Sequence, residues 1–257
     1  MKKLILCFIL LRTATVFGQN PNPSVSVDEY IMDEMETEHF PGVATVIVKN
    51  GEIVWLKCYG FADIENGIPV TDSTQFLLAS MSKLFTGTAT MQLKEDGMLQ
   101  LNNDINEYLP WQLNHPTQST TPMTIHQLMT HTSSIKDNWS AMSNYYGYPD
   151  PTMSLEACMQ DYFTVTGQNY NANQNFLSAP PGTVFNYSNM ATALNGYITE
   201  IVSSMPFDDY CEEHIFEPLC MEKTAWHMAD LDSNEVARPY SYSNGNFVAN
   251  PHYGFAD

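Results

Sequence analysis

The sequence predicts an α+β chain in which an antiparallel hairpin with a flanking helix precedes a long, mainly helical zone. Three observations carry this. Two strand-like apolar runs, GVATVIV at 42–48 and IVWLKCY at 53–59, flank Asn50-Gly51, and an Asn-Gly step between such runs is the strongest short-range hairpin signal. From residue 80 to about 230 the apolar residues recur mostly at helical spacing. After residue 236 the pattern becomes short strands and turns, with Asn244-Gly245 as a second turn.

Each element has a local reason. VDEYIMDEMETEHF, with Tyr30, Met35 and Phe40, predicts a helix packed on the hairpin. Helices are expected over 80–96, 124–130, 154–163, 189–204 and 207–216, and Gly97 is placed to stop the first. Loops rich in Asn, Ser, Pro and Tyr separate them at 137–153 and 164–183. There is no internal repeat. The expected organisation is a leader at 1–19 and one domain at 20–257, made of an N-terminal helix and hairpin (20–79), a helical lobe (80–235) and a return towards the sheet (236–257).

The 257 residues are 44% hydrophobic and 15% charged, a globular composition. MKKLILCFILLRTATVFGQ has two lysines, an apolar stretch and then small residues, the pattern of a secretory signal peptide cleaved near Gly18–Gln19. Export to the periplasm or exterior is therefore expected, without membrane insertion. Removing Lys2, Lys3 and Arg12 leaves seven of the ten Lys/Arg against 29 Asp/Glu, a formal net charge of −22. Such a surface repels nucleic acid and anionic membranes. Cys58, Cys158, Cys211 and Cys220 would remain, allowing three disulfide pairings; Cys58 reads as a buried strand thiol, and Cys211 and Cys220 could pair. No CxxC or HExxH spacing occurs, so neither a metal nor a cofactor is expected.

The chemistry concentrates in FLLASMSKLFTGTATMQL at 76–93, whose one charge is Lys83. A helix starting at Ser80 puts Ser80 and Lys83 one turn apart on one face. Ser80 then sits at the positive end of the helix dipole, where a developing oxyanion is favoured. Lys83 among Leu78, Met81, Leu84 and Phe85 would be partly desolvated, which disfavours its charged form and suits it to take a proton from a serine hydroxyl. A lysine snorkelling from a helix surface fits the same residues. Ser133-Ser134-Ile135-Lys136 repeats the Ser-x-x-Lys spelling, but it runs into Asp137, Asn138 and Trp139 with no apolar helical face behind it and reads as a loop.

A second motif, Tyr187-Ser188-Asn189, follows a Pro-Gly turn and opens an amphipathic helix. Tyr242-Ser243-Asn244 copies its spelling but precedes Gly245-Asn246, which suits a hairpin turn. A tyrosine beside a lysine can shuttle protons, and an asparagine can hold a substrate amide with donor and acceptor together.

These blocks, Ser80-Met81-Ser82-Lys83, then TIHQLMTHTSSI at 124–135, then PGTVFNYSN, resemble the serine β-lactamase-like superfamily. The Tyr-x-Asn form is similar to its class C β-lactamase, D-Ala-D-Ala carboxypeptidase and esterase branch. The resemblance covers roughly residues 28–257. It implies an antiparallel sheet flanked by helices beside an all-helical lobe, with Ser80 at the junction. It implies Ser80 as acylated nucleophile and Lys83 as the group that activates it and orients Tyr187. Tyr187 would be general base and then proton donor, and Asn189 would bind substrate. The oxyanion hole would combine the Ser80 N–H with one from a later strand. The expected function is an exported serine hydrolase acting on a β-lactam, D-alanyl peptide or ester. The alternative is a non-catalytic binding module on the same scaffold.

Two departures stand out. The family usually has His-Thr-Ser-Gly where this chain has His131-Thr132-Ser133-Ser134; His131 reads as a structural hydrogen-bonder, and Ser134 as a change in how the loop bends. The family's third motif, Lys-Thr-Gly or His-x-Gly, is expected to be absent, because only 68 residues follow Asn189. Lys223-Thr224-Ala225 follows IFEPLCME, which resembles the family's structural Phe-x-Pro-Leu-Gly-Met segment, and His252-Tyr253-Gly254 matches His-x-Gly in spelling but lies too close to Tyr187. The sheet is therefore expected to be incomplete, with the chain truncated at its C-terminal end.

Overall fold

The computed structural model describes residues 25–255. Segment 1–19, expected from the sequence to be a signal peptide, lies outside the described residues. The chain divides into two compact units between Thr74 and Gln75.

In the first unit, β1 (Gly42–Lys49) and β2 (Glu52–Asp63) form the expected hairpin, closed at the Lys49–Glu52 pair. Asn50 and Gly51 both take positive φ, 54° and 77°. That is the turn whose twist matches the flanking strands. A short β3 (Ile68–Pro69) adds to β2, giving the sheet order β1-β2-β3. Trp55 is buried, and its indole N–H donates to Thr45 Oγ1 at 2.8 Å.

The helix before the hairpin, α1 (Val25–Glu38), forms as expected but packs differently. None of its residues is buried; Tyr30 is 63% exposed, and Phe40 lies beyond the helix end at 51%. The reason is geometric: at 100° per residue, steps of five rotate the side chain by about 140°, so Tyr30 and Met35 do not share a stripe. The attachment is polar instead. Asp28 pairs with Lys57 Nζ at 2.6 Å and accepts from Tyr59 Oη at 2.7 Å. Those two partners hold its carboxyl below the usual range. Of the expected apolar residues, Met35 reaches the hairpin, at Gly60, whose φ of +68° and closeness to the Pro41 carbonyl exclude a larger residue.

The second unit is built around α6 (Asn189–Ser203), which packs against α2 (Lys83–Glu95), α3 (Ile125–Met129), α5 (Leu155–Phe163) and α7 (Phe207–Cys211). Leu93, Leu128, Met159, Leu194, Ile198 and Phe207 are among the buried residues of their shared core. Within it a polar pair bolts α2 to α6: Asn195 Nδ2 donates to Thr90 Oγ1 at 2.7 Å. The cap of α3 is a full capping box, Thr124 with Gln127. Gly97 ends α2 with φ +76°. The expected 207–216 helix divides into α7 and a π turn at Glu212–Phe216, and a one-turn α4 (Trp139–Met142) falls where a loop is expected.

Towards the end of the chain, β5 (Tyr240–Ser243) and β6 (Asn246–Ala249) form the second hairpin over Asn244-Gly245, again with both φ positive. β7 (Gly254–Phe255) pairs with β4 (Tyr146–Gly147). A parallel bridge joins Gln75 to Val236. No helix among the described residues is long and apolar enough to cross a membrane.

Candidate active site

Ser80 lies in a 3₁₀ turn, Ala79–Ser82, that runs directly into α2, so the α-helix begins at Lys83 and not at Ser80. The difference tightens the expected pairing: with three residues per turn, positions i and i+3 eclipse. Lys83 Nζ donates to Ser80 Oγ at 3.4 Å. Ala79, just before the serine, holds φ +47°, a left-handed conformation that a non-glycine residue keeps only when its surroundings impose it.

The apolar sleeve expected around Lys83 does not form. Leu78, Met81 and Leu84 are exposed, and Phe85 instead meets Phe216 edge-on, centroids 5.1 Å apart. Lys83 is half-buried among polar groups.

The other half of the site comes from the start of α6. Ser188 is the N-cap, its Oγ accepting from Ala191 N at 3.0 Å. The residues on either side, Tyr187 and Asn189, turn towards Ser80 and Lys83. Tyr187 Oη donates to Ser80 Oγ at 2.7 Å. Lys83 Nζ donates to Asn189 Oδ1 at 2.7 Å and stands 5.1 Å from the Tyr187 ring centroid. The structure thus brings together all four residues singled out in the sequence. Asn189 is engaged within the protein at both ends of its amide: Oδ1 accepts from Lys83 Nζ and Nδ2 donates to Asp137 at 2.7 Å.

The loop 131–137 supports this half, with Gly182 N donating to Thr132 O, Leu177 N to Ser134 O and Asn186 N to His131 O. His131 Nδ1 accepts from Ser188 N at 3.3 Å, and its ring lies 4.6 Å from that of Tyr187. Burial first, then the charge of Lys83, holds the imidazole below its ordinary range, with Asp137 opposing. Ser134 keeps φ +66°, the conformation glycine adopts most freely, and its hydroxyl donates to Ala179 O at 2.6 Å.

The second Ser-x-x-Lys copy is part of this loop. Ser133 is 1% exposed and Lys136 Nζ donates to Asn173 O at 3.1 Å. The loop's most consequential residue was missed in the sequence. Asp137 accepts from Ser188 Oγ (2.9 Å), Asn189 N (3.0 Å), Asn189 Nδ2 (2.7 Å) and Met190 N (3.1 Å). A lone aspartate after a loop motif carries no periodicity; only the tertiary pairing of 131–137 with 175–190 marks it.

Other candidates are occupied elsewhere. Lys223 pairs with Glu235, and His252 Nε2 lies 3.0 Å from Ala237 O. Cys58, Cys158, Cys211 and Cys220 are free thiols, so the Cys211–Cys220 pairing is not formed. Cys58 is half-buried, and burial pushes Cys211 up to about 12, which leaves that thiol inert as a nucleophile. Among the described residues no group of three or more His, Cys, Asp or Glu is placed to hold a metal ion.

A small sheet, a helical core and a serine bonded to both a lysine and a tyrosine define a β-lactamase/transpeptidase-like protein. The Beta-lactamase family model matches residues 27–255, and the chain belongs to that family. It is 29% identical over 240 residues to Protein flp of Staphylococcus aureus (strain MW2), covering 90% of this chain and 44% of Flp. It is also 29% identical over 190 residues to a Beta-lactamase of Yersinia enterocolitica, covering 74% of this chain and 43% of that protein. In structure it is similar to the octameric penicillin-binding protein homologue from Pyrococcus abyssi, with a TM-score of 0.67 and 26% identity over 89% of this chain and 52% of that one. The chain spans less than half the length of these two curated relatives.

Proposed function

We propose that the chain is an exported serine hydrolase that cleaves an amide or ester bond of a small-molecule or peptide substrate through an acyl-enzyme on Ser80. The observation that carries this reading is the double contact at Ser80 Oγ, 2.7 Å from Tyr187 Oη and 3.4 Å from Lys83 Nζ. Once Tyr187 has lost its own proton, the hydrogen bond it donates to Ser80 Oγ reverses, and it takes the Ser80 proton while Oγ bonds to the substrate carbonyl carbon. The tetrahedral adduct collapses with loss of the amine or alcohol, which leaves with the proton from Tyr187. Water then attacks the ester on Ser80, again giving its proton to Tyr187. The acid is released as Tyr187 returns that proton to Ser80 Oγ. A positive charge on Lys83 offsets the negative charge on Tyr187 at the stages where Tyr187 is unprotonated. Export is supported by the Lys2-Lys3 and apolar pattern of the leader. The family membership supports β-lactams, D-alanyl peptides and simple esters as substrate classes.

The test is pre-steady-state release from an activated ester, a chromogenic β-lactam and a D-alanyl-D-alanine peptide. An initial burst equal to the protein concentration with one of them is the expected mark of acyl-enzyme formation. The absence of both a burst and a covalent adduct with all three would overturn the reading.

A further inference from the structure

We infer that Asp137 is a positioning residue that aims Lys83 at Ser80 by fixing which end of the Asn189 amide faces the lysine; this rests on Ser80 being the acylated atom. The amide sits between two groups of opposite character. An ionised carboxylate only accepts hydrogen bonds and an ammonium only donates them. Asp137 Oδ2 therefore takes the NH₂ end of Asn189 at 2.7 Å, and the carbonyl end is left to Lys83 Nζ, also at 2.7 Å. The flipped amide would set its oxygen against a carboxylate and its NH₂ against the ammonium, so one orientation survives. With that acceptor fixed, Lys83 Nζ is held 3.4 Å from Ser80 Oγ and over the Tyr187 ring.

Helix capping alone does not account for the arrangement. Ser188 already caps α6 through Ala191 N, and Asp137 Oδ1 serves Ser188 Oγ and Met190 N. The other oxygen, Oδ2, meets both the backbone and the side chain of Asn189, and the side-chain contact leads to Lys83.

Asp137→Asn separates the two roles at constant volume. Its amide can keep an oxygen towards Ser188 and Met190, but it then presents NH₂ to the two N–H donors of Asn189. Relief of the side-chain clash requires the Asn189 amide to flip, which removes the acceptor from Lys83. The experiment measures the acylation rate of the full chain with a fluorophosphonate probe. Asp137→Asn is expected to slow labelling about 10²-fold, the cost of a displaced reacting group. It should add no further loss in a Lys83→Ala background. Ser188→Ala, which removes cap bonds but leaves the Asn189 contact, should stay close to the parent rate. Equal losses for Asp137→Asn and Ser188→Ala, or an Asp137→Asn loss that persists undiminished without Lys83, would overturn the inference. If the probe never labels Ser80, the acylation reading fails while the placement is still decided by the Asn189 side-chain ¹H–¹⁵N signal. That signal is expected to shift in both Asp137→Asn and Lys83→Ala, and its indifference to either refutes the placement.

Discussion

Replacing Thr90 by valine tests the seam that holds the two halves of the site together. α2 carries Lys83 and the start of α6 carries Asn189, so their 2.7 Å contact depends on how those helices pack. Thr90 is 0% and Asn195 2% exposed. Thr90 Oγ1 gives its hydrogen to Thr86 O at 2.8 Å and accepts from Asn195 Nδ2 at 2.7 Å. Asn195 Oδ1 has no hydrogen-bond partner among the described residues. Valine matches threonine in volume, so no cavity opens, but Asn195 would then be buried with both polar ends unpaired. An orphaned buried polar group costs about 1–3 kcal/mol. At roughly 2–4 °C per kcal/mol for a chain of this size, the melting temperature should fall by about 2–12 °C. Adding Asn195→Leu should recover most of the loss, because the stranded amide is removed along with its partner. Thermal and urea denaturation followed by circular dichroism measure the melting temperature and the unfolding free energy of both variants. A Thr90→Val loss below about 0.5 kcal/mol, the range of featureless substitutions, or a double variant no more stable than Thr90→Val, would refute this account of the seam.

The remaining expectations concern the site and its loop. Lys83→Ala, Tyr187→Phe and the double variant should show similar residual acylation rates, since groups acting as one proton-transfer unit lose activity together; strictly additive losses would point to independent roles, and Tyr242→Phe, in the β5–β6 hairpin, should cost little. Ser134→Gly should change stability by less than about 1 kcal/mol, because relief of left-handed strain (about 1–2 kcal/mol) opposes loss of the Ala179 hydrogen bond (about 1 kcal/mol) and the greater freedom of glycine when unfolded (about 0.5–1 kcal/mol). His131 is held below its ordinary 6.5, so the unfolded chain takes up this proton at a higher pH than the folded one. The stability it contributes is full above that value and is lost as pH falls through the lower folded one. The parent's advantage over His131→Asn, which tolerates the φ of +55°, should therefore shrink between about pH 8 and about pH 5 in urea melts. A constant difference would contradict the cause assigned.

Local signals were the most legible. Both Asn-Gly hairpins appear where the dipeptide places them, because two consecutive positive φ values are a local demand that few residues meet. The helices α3, α5 and α6 lie within one residue of expectation, each having a periodic face that finds a partner, and α2 starts three residues late because a 3₁₀ turn precedes it. α1 shows the limit: its apolar residues exist, but a step of five spreads them, and the Asp28–Lys57 pair that anchors it joins residues with no shared pattern. In the site, Ser80, Lys83, Tyr187 and Asn189 could be found because each pair shares one helical start, so spacing encodes their common direction. Asp137 could not. It meets α6 only through the pairing of 131–137 with 175–190, and nothing in the letters SSIKDN distinguishes a buried support from an exposed turn.

The most direct measurement is tandem mass spectrometry of the peptide that carries the adduct after reaction with a fluorophosphonate. The acyl-enzyme account predicts a single modification at Ser80, lost in Ser80→Ala and retained in Ser133→Ala. An adduct on Ser133, or one that survives Ser80→Ala, would contradict it.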